Sequence, residues 1–430
     1  MSQVSPHADT DAYVETHLRR NFVALALDFG FFGLGMSISS TSTLLPALAA
    51  RLGAPNLLLG AIPFVVLLGR SLPAVFSARL IEPLPRKLPF VLTYTVWERL
   101  PWLMLALALF ALGQSSPSLV LALLVVNLLV VAMVGGSLSP AWTELVARVI
   151  PTTYRGRLFA LAGAFSTSLG LLGAVLSGYL LREHPFPTGY VLCLGATFIC
   201  LVASYGAMAT AKEPAMGVSR PAMRLGPHLA RLPRILRSNR TFGWYLAAQG
   251  LRMMGTMATG FYAVYALRHL GAEEWQVAGF TFAMLAAQSI GGVGLGLLAD
   301  RVGHRVSLVV GAIAAGAASL LAVSTTDLVL YHTVFVMLGL AAASYNISSQ
   351  NLVLELAPAE ERPIYLGLAS TAQAPFLFSA PLLAGFLADC AGFGTLFVVA
   401  GLLSLVGAAL FILRVEEPRG AFAHSTGGRR

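Results

Sequence analysis

Gly296-Leu297-Leu298-Ala299-Asp300-Arg301-Val302-Gly303-His304-Arg305 separates two long apolar runs, Trp275 to Leu298 and Val306 to Val323. The order Gly-x-Leu-Ala-Asp-Arg-x-Gly-x-Arg supplies what a tight turn between two membrane helices needs. Gly303 allows a backbone kink, Asp300 sits at a helix end, and Arg301 and Arg305 hold the turn on the cytosolic side. A charged turn chosen only for solubility has no reason to place all these types in this order.

The rest of the chain fits a membrane setting. It has 430 residues, 57% hydrophobic and 11% charged, with a mean hydropathy of +0.77; soluble domains carry roughly 25% charge. Twelve apolar runs are each long enough to cross ~30 Å of hydrocarbon as helix. They cover 22–48, 58–82, 88–113, 118–147, 157–181, 189–211, 241–267, 276–300, 306–325, 328–355, 364–389 and 393–414. Residues 1–21 read as a polar cytosolic tail with no cleaved signal. With both termini inside, 22 of the 28 Lys and Arg fall on the cytosolic side, and only Arg51, Arg182 and Arg268 fall outside. Arg70, Arg99 and Arg252 lie within spans. That bias sets the orientation and accounts for the net charge of +9 without nucleic acid. Residues 212–240 carry seven Lys/Arg against one acid, Glu213, with four prolines. Leu229, Leu232 and Leu236 share a helical face there, so a cytosolic linker resting partly on anionic headgroups is expected. Cys193, Cys200 and Cys390 form no metal or redox spacing and read as packing residues.

The halves repeat. Pro151, Arg155, Gly156 and Gly178 recur as Pro358, Arg362, Pro363 and Gly385, an offset of 207. Leu80, Glu82, Pro85 and Lys87 stand 218 before Leu298, Asp300, Gly303 and Arg305. The 296–305 loop, with this repeat, resembles the signature of the major facilitator superfamily of transporters over residues 22–414. The resemblance implies an all-α membrane protein with twelve transmembrane helices in two pseudo-symmetric six-helix bundles, 22–211 and 241–414. Tails 1–21 and 415–430 flank them, and 212–240 is the basic linker. It also implies alternating access around a site near mid-membrane. By the same resemblance the loops form a cytosolic gate of Glu82, Arg155, Gly296, Asp300, Arg301, Gly303, Arg305 and Arg362. Asp300 latches onto the start of span 11 at Arg362, and Glu82 onto span 5 at Arg155; the alternative is that these charges only mark topology.

An ionisable group in hydrocarbon is a functional candidate by default. Arg70 and Glu98 fall near mid-depth of spans 2 and 3, at depths that allow them to pair, while Arg99 points to another part of its helix. Arg252 is at mid-depth of span 7, and Asp28 lies in the cytosolic third of span 1. In the superfamily spans 1, 4, 7 and 10 line the cavity, which favours Asp28, Asn127, Gln249, Arg252, Tyr345, Asn346 and Gln350, with Trp142 and Glu144 at its cytosolic mouth. Two readings stand for Arg70, Glu98 and Arg99: an ion-pair cluster bracing the first half, or solute contact. Asp28 is either a proton carrier or permanently paired. Arg252 either meets an anionic or zwitterionic solute or is neutralised by Asp28.

Span 4 lacks the Arg, and span 5 the Pro, of the family's drug–proton antiporters, and sugar-porter signature loops are not evident. No phosphate-cradling loop, Cys/His cluster or nucleophile elbow is present, so an enzyme is not expected. The reading is a secondary active transporter of a small organic solute, with protons as candidate coupling ion, in the plasma (inner) membrane. No cofactor, metal or nucleic acid is expected, and the chain is expected to be a monomer. A non-transporting sensor or scaffold of the same fold, or a lipid flippase, are the alternatives.

Overall fold

A computed structural model describes residues 6–81, 83–214, 235, 239–358 and 360–417. Those residues are almost wholly helical. Ten helices are long and apolar enough to cross a membrane. The last of them, Arg362–Arg414, turns back at Gly392, whose φ of 81° only glycine adopts without strain; this break separates the eleventh and twelfth runs of the sequence. The seventh run is divided into Arg240–Gly255, a short turn at Thr256–Ala258, and Phe261–His269.

The described residues fall into two compact units. The first gathers Met1–Ala54, Ile62–Ala222 and Glu274–Ala278, the second Pro55–Ala61, Met223–Glu273 and Gly279–Arg430. In the first unit α1 is Pro6–Ile38 and α2 Leu44–Arg51, and α3, Asn56–Ile81, belongs to it from Ile62 onward. Next come α4 Leu88–Tyr94, α5 Val96–Leu112, α6 Pro117–Val149, α7 Thr152–Glu183 and α8 Thr188–Ala209. α1 packs along α7 and α8, and α5 against α6 and α8. The gap between α1 and α2 is the run Ser39-Ser40-Thr41-Ser42-Thr43, whose hydroxyls compete for backbone partners; Ser39 Oγ meets Thr197 Oγ1 at 2.7 Å.

The second unit continues with α9 Arg240–Gly255, α10 Phe261–His269 and α11 Glu274–Val302. It closes with α12 His304–Ser324, α13 Leu328–Leu356 and α14 Arg362–Arg414. α9 packs on α14, and α12 on α13 and α14. Its core joins Phe242, Tyr245, Leu308, Leu352 and Phe411.

The helix that carries span 1 does not start at residue 22 but at Pro6. Its segment near the predicted start of span 1 is pinned to the end of α8. Asn21 donates to Lys212 O at 3.0 Å and accepts from Lys212 N at 2.7 Å, while Arg20 Nε donates to Thr210 O at 2.7 Å. Nor is Glu213 a solvated linker acid. It is buried, and its carboxylate accepts from the amides of Lys87 and Leu88 at 2.7–2.8 Å, at the start of α4. Arg148 Nη1 lies 3.6 Å from the same carboxylate. Lys87, fully buried, lies 3.3 Å from Glu144, which also accepts from Arg148 at 2.6 Å. Four charges thus close one end of the first unit, each facing an opposite one. Carboxylate bonds to backbone N–H groups are of the stronger, charge-assisted kind. The rest of the linker, including the leucine face, lies outside the described residues.

Replacing Glu213 by Ala leaves two amides and Arg148 short of an acceptor. The variant is expected to unfold with a stability loss of about 1–3 kcal/mol, read as a lowered thermal midpoint of the purified full chain; an unchanged midpoint contradicts this placement.

Candidate functional site

A cavity of about 350 Å³ lies within the first unit, lined by Asp28, Phe29, Phe32, Arg70, Thr95, Glu98, Arg99 and Trp142 among others. A smaller hollow of about 40 Å³ shares Phe32, Arg70, Glu98 and Gly135 with it. Arg70 and Glu98 therefore sit where the two meet.

The charges in this cavity are held to different degrees. Arg99 is buried, and its fork is taken up by protein acceptors. Nε donates to Leu201 O at 2.8 Å, one amino group donates to Thr95 O at 3.1 Å and to the Thr95 hydroxyl, and the other to Ser204 Oγ at 3.1 Å. Its edge also lies over the ring of Tyr205, 5.7 Å from the centroid. Ser204 in turn donates a hydrogen bond to Asp28 Oδ1 at 2.6 Å. Trp142 Nε1 approaches Oδ2 at 3.4 Å. Asp28 and Arg99 are thus joined through one hydroxyl, each nearly out of contact with solvent.

Glu98 is looser. Its Oε2 accepts from Thr95 at 3.3 Å and stands 3.7 Å from Arg99. Among the described residues Arg99, and not Arg70, lies within 4.0 Å of the Glu98 carboxylate. Thr95, one turn earlier, accepts from Arg99 and donates to Glu98, and so draws the two neighbouring side chains to one pocket. Arg70 is exposed in the cavity wall. It feels Glu98 electrostatically but has no carboxylate within 4.0 Å among the described residues. Its backbone is fixed by close packing: a Cβ on Gly136 of α6 would come within 2.7 Å of Arg70 Cα.

The second unit has its own buried cation. Arg252 on α9 is 4% exposed. Its Nε donates to Gln249 Oε1 at 3.1 Å, and its guanidinium lies over the Tyr345 ring at 4.7 Å, an arrangement that partly offsets burial. No carboxylate lies within 4.0 Å of Arg252 among the described residues, and Asp28 is engaged by Ser204 and Trp142 in its own unit. Gln249 Nε2 and both polar atoms of the Asn127 amide are buried without a hydrogen-bond partner. Asn346 and Gln350, one turn apart on α13, are exposed. His332 Nδ1 donates to Leu328 O, 2.8 Å away, and the ring packs edge-on against Phe280.

The gate residues divide similarly. Gly303 has φ 106°, the kink its position calls for, and a Cβ there would collide with the Glu417 carboxylate. Arg305 donates to Val415 O at 2.8 Å, so the start of α12 is tied to the segment after α14. Asp300 and Arg301 are exposed at the end of α11, and Gly296 has open space where a Cβ would stand. Arg362 is exposed and has no carboxylate within 4.0 Å among the described residues. Arg155 donates to Ile150 O at 2.9 Å and to Ala147 O at 2.5 Å, closing the end of α6. Glu82 lies outside the described residues.

Sequence reasoning missed Ser204, Thr95, Glu213 and Glu417. The last two had a signal: Glu-Pro follows span 6 at Glu213 and span 12 at Glu417. Among the described residues no group of His, Cys, Asp or Glu is placed to hold a metal ion.

Membrane-length helices in two units, each burying a guanidinium within a span, define a polytopic membrane transport protein. The chain belongs to the Major Facilitator Superfamily, whose family model matches residues 27–374 and 246–429; it is a secondary transporter and not an enzyme. Its fold is similar to the crystal structure of a D-xylose–proton symporter, with TM-score 0.70 and 15% identity over 93% of this chain and 98% of that one. It is also similar to a bacterial homologue of the human lysosomal transporter Spinster, with TM-score 0.66 and 14% identity over 96% of this chain and 98% of the other. A bacterial homologue of the iron transporter ferroportin aligns with TM-score 0.66 and 16% identity, over 93% and 100%. No curated protein sequence matches the chain.

Replacing Arg99 by Ala removes the countercharge of two acids. It is expected to destabilise the purified full chain by about 3–5 kcal/mol, and by clearly less in an Asp28→Asn background, measured as thermal midpoints. Equal losses in both backgrounds would show that Arg99 acts by packing alone.

Proposed function

We propose that this transporter carries a small organic solute by alternating access and couples it to protons, with Asp28 as the proton-exchanging group. The observation that carries this reading is the Asp28–Ser204–Arg99 chain at the wall of the 350 Å³ cavity. A carboxylate buried in a span, beside a cation and at a hollow of solute size, is where a proton changes the local charge most. The D-xylose–proton symporter among similar folds supports coupling of this kind. Arg70, Glu98, Asn127, Gln249, Arg252, Tyr345, Asn346 and Gln350 are the further candidates for solute or coupling contacts.

Glu82, Arg155, Gly296, Asp300, Arg301, Gly303, Arg305 and Arg362 serve the cytosolic gate. The twelve spans form two six-helix halves, 22–211 and 241–414. The Lys/Arg bias supports cytosolic termini in a plasma or inner membrane, and the basic linker rests on anionic headgroups. The chain acts as a monomer.

The test is flux in proteoliposomes of the full chain, wild type beside Asp28→Asn, across organic anions, cations and neutral solutes. Solute-dependent proton movement is expected in wild type and is lost in the variant. Solute flux with no proton movement, unchanged in Asp28→Asn, removes Asp28 from coupling.

A further inference from the structure

The four charged side chains of the first unit's cavity are Asp28, Glu98, Arg70 and Arg99, two negative and two positive groups that balance when all are ionised. Their donors and acceptors are not equally free. Arg99 has its fork engaged by Leu201 O, Thr95 and Ser204. Asp28 is held between Ser204 and Trp142. Glu98 is shared between Thr95 and Arg99. Arg70 alone among them presents a guanidinium to the hollow with no hydrogen bond or ion pair among the described residues, and Gly136 fixes where its backbone stands.

Protonation of Asp28 shifts this balance. The cavity then holds one negative and two positive groups, and only Arg70 has donors open to an incoming molecule. A guanidinium's planar fork matches a carboxylate in a bidentate way. The walls beside it are apolar and aromatic: Trp142 packs with Phe29 at 5.3 Å and with Phe159 at 6.4 Å between ring centroids, and Phe32 and Met208 join the lining.

We infer that the solute is a monovalent organic acid with an apolar body, whose carboxylate binds Arg70, and that it moves together with the proton on Asp28, one charge compensating the other. This rests on the transporter reading above and names its solute class. The proton passes to an Asp28 oxygen as the anion enters and leaves with it, so no net charge moves. Around Asp28 on α1 the charged and titratable groups are Arg99 and Glu98 from α5 and Arg70 from α3. α6 and α8 bring Trp142 and Ser204, and α7 adds no charged side chain to the lining among the described residues.

The charge of the cavity is testable without knowing the solute. Trp142 fluorescence, isolated as the difference between wild type and Trp142→Phe, is quenched in the purified full chain by iodide or by caesium ions. At a pH low enough to protonate Asp28, and relative to their quenching of free N-acetyltryptophanamide, iodide is expected to quench at least about threefold better than caesium, because the excess positive charge then gathers anions locally. The preference grows as pH is lowered and is lost in Arg70→Gln. Equal quenching by the two ions, or a preference that survives Arg70→Gln, overturns the inference. A second arm uses the flux assay with benzoate, benzamide and benzylammonium as competitors. Competition by benzoate alone supports the assignment, and competition that ignores charge or favours benzylammonium overturns it. The quenching arm stands even if no coupled flux is found, so failure of the solute class and failure of proton coupling are told apart.

Discussion

The bond from Ser204 to Asp28, with Arg99 donating to the same hydroxyl, is the constraint on which the first unit depends. Bare carboxylates and guanidiniums do not persist in a helix bundle surrounded by hydrocarbon; each needs an opposite charge and satisfied hydrogen bonds. Asp28 comes from α1, Arg99 from α5 and Ser204 from α8. Joining them fixes the packing of α1 and α5 on α8, and the hollow lined by Phe29, Phe32 and Trp142 is what remains in front of the joined charges. The second unit solves the same problem without an acid. Arg252 lies over the Tyr345 ring and donates to Gln249, so its charge is spread over an aromatic face and an amide.

The loops at the helix ends show the same economy at a different depth. Glu213 receives the amides that open α4, and Glu417 lies against Gly303, where α12 opens. In each unit the acid after the last helix reaches the start of a helix near the middle of the unit. This parallel stands beside the sequence offsets between loops, and it ties the ends of each unit to its own interior.

Much of the fold was legible because period and length carry it: runs of about 20 apolar residues between charged turns leave little choice. The gap left between the runs 364–389 and 393–414 contains Gly392, where the helix breaks. The kink at Gly303 was legible from its place in the turn between two runs. The site was legible only as a set of names. Asp28, Glu98, Arg70, Arg99 and Arg252 announce themselves as charges in apolar runs, but their pairing depends on helix rotation, which composition does not give. Adjacent Glu98 and Arg99 were expected to diverge; Thr95, a single hydroxyl one turn away, brings them together. Ser204 carried no signal, being one small residue in an apolar helix. Glu213 misled because a lone acid in a basic, proline-rich stretch looks solvated.

Whether Asp28 exchanges a proton is read most directly from the pH-titrated infrared spectrum of the full chain in lipid, wild type beside Asp28→Asn. A carbonyl band of a protonated carboxylic acid is expected to appear as pH is lowered in the wild type and to be missing in the variant. A spectrum with no titrating carboxylic acid band, or one unchanged by Asp28→Asn, contradicts the central role given to Asp28.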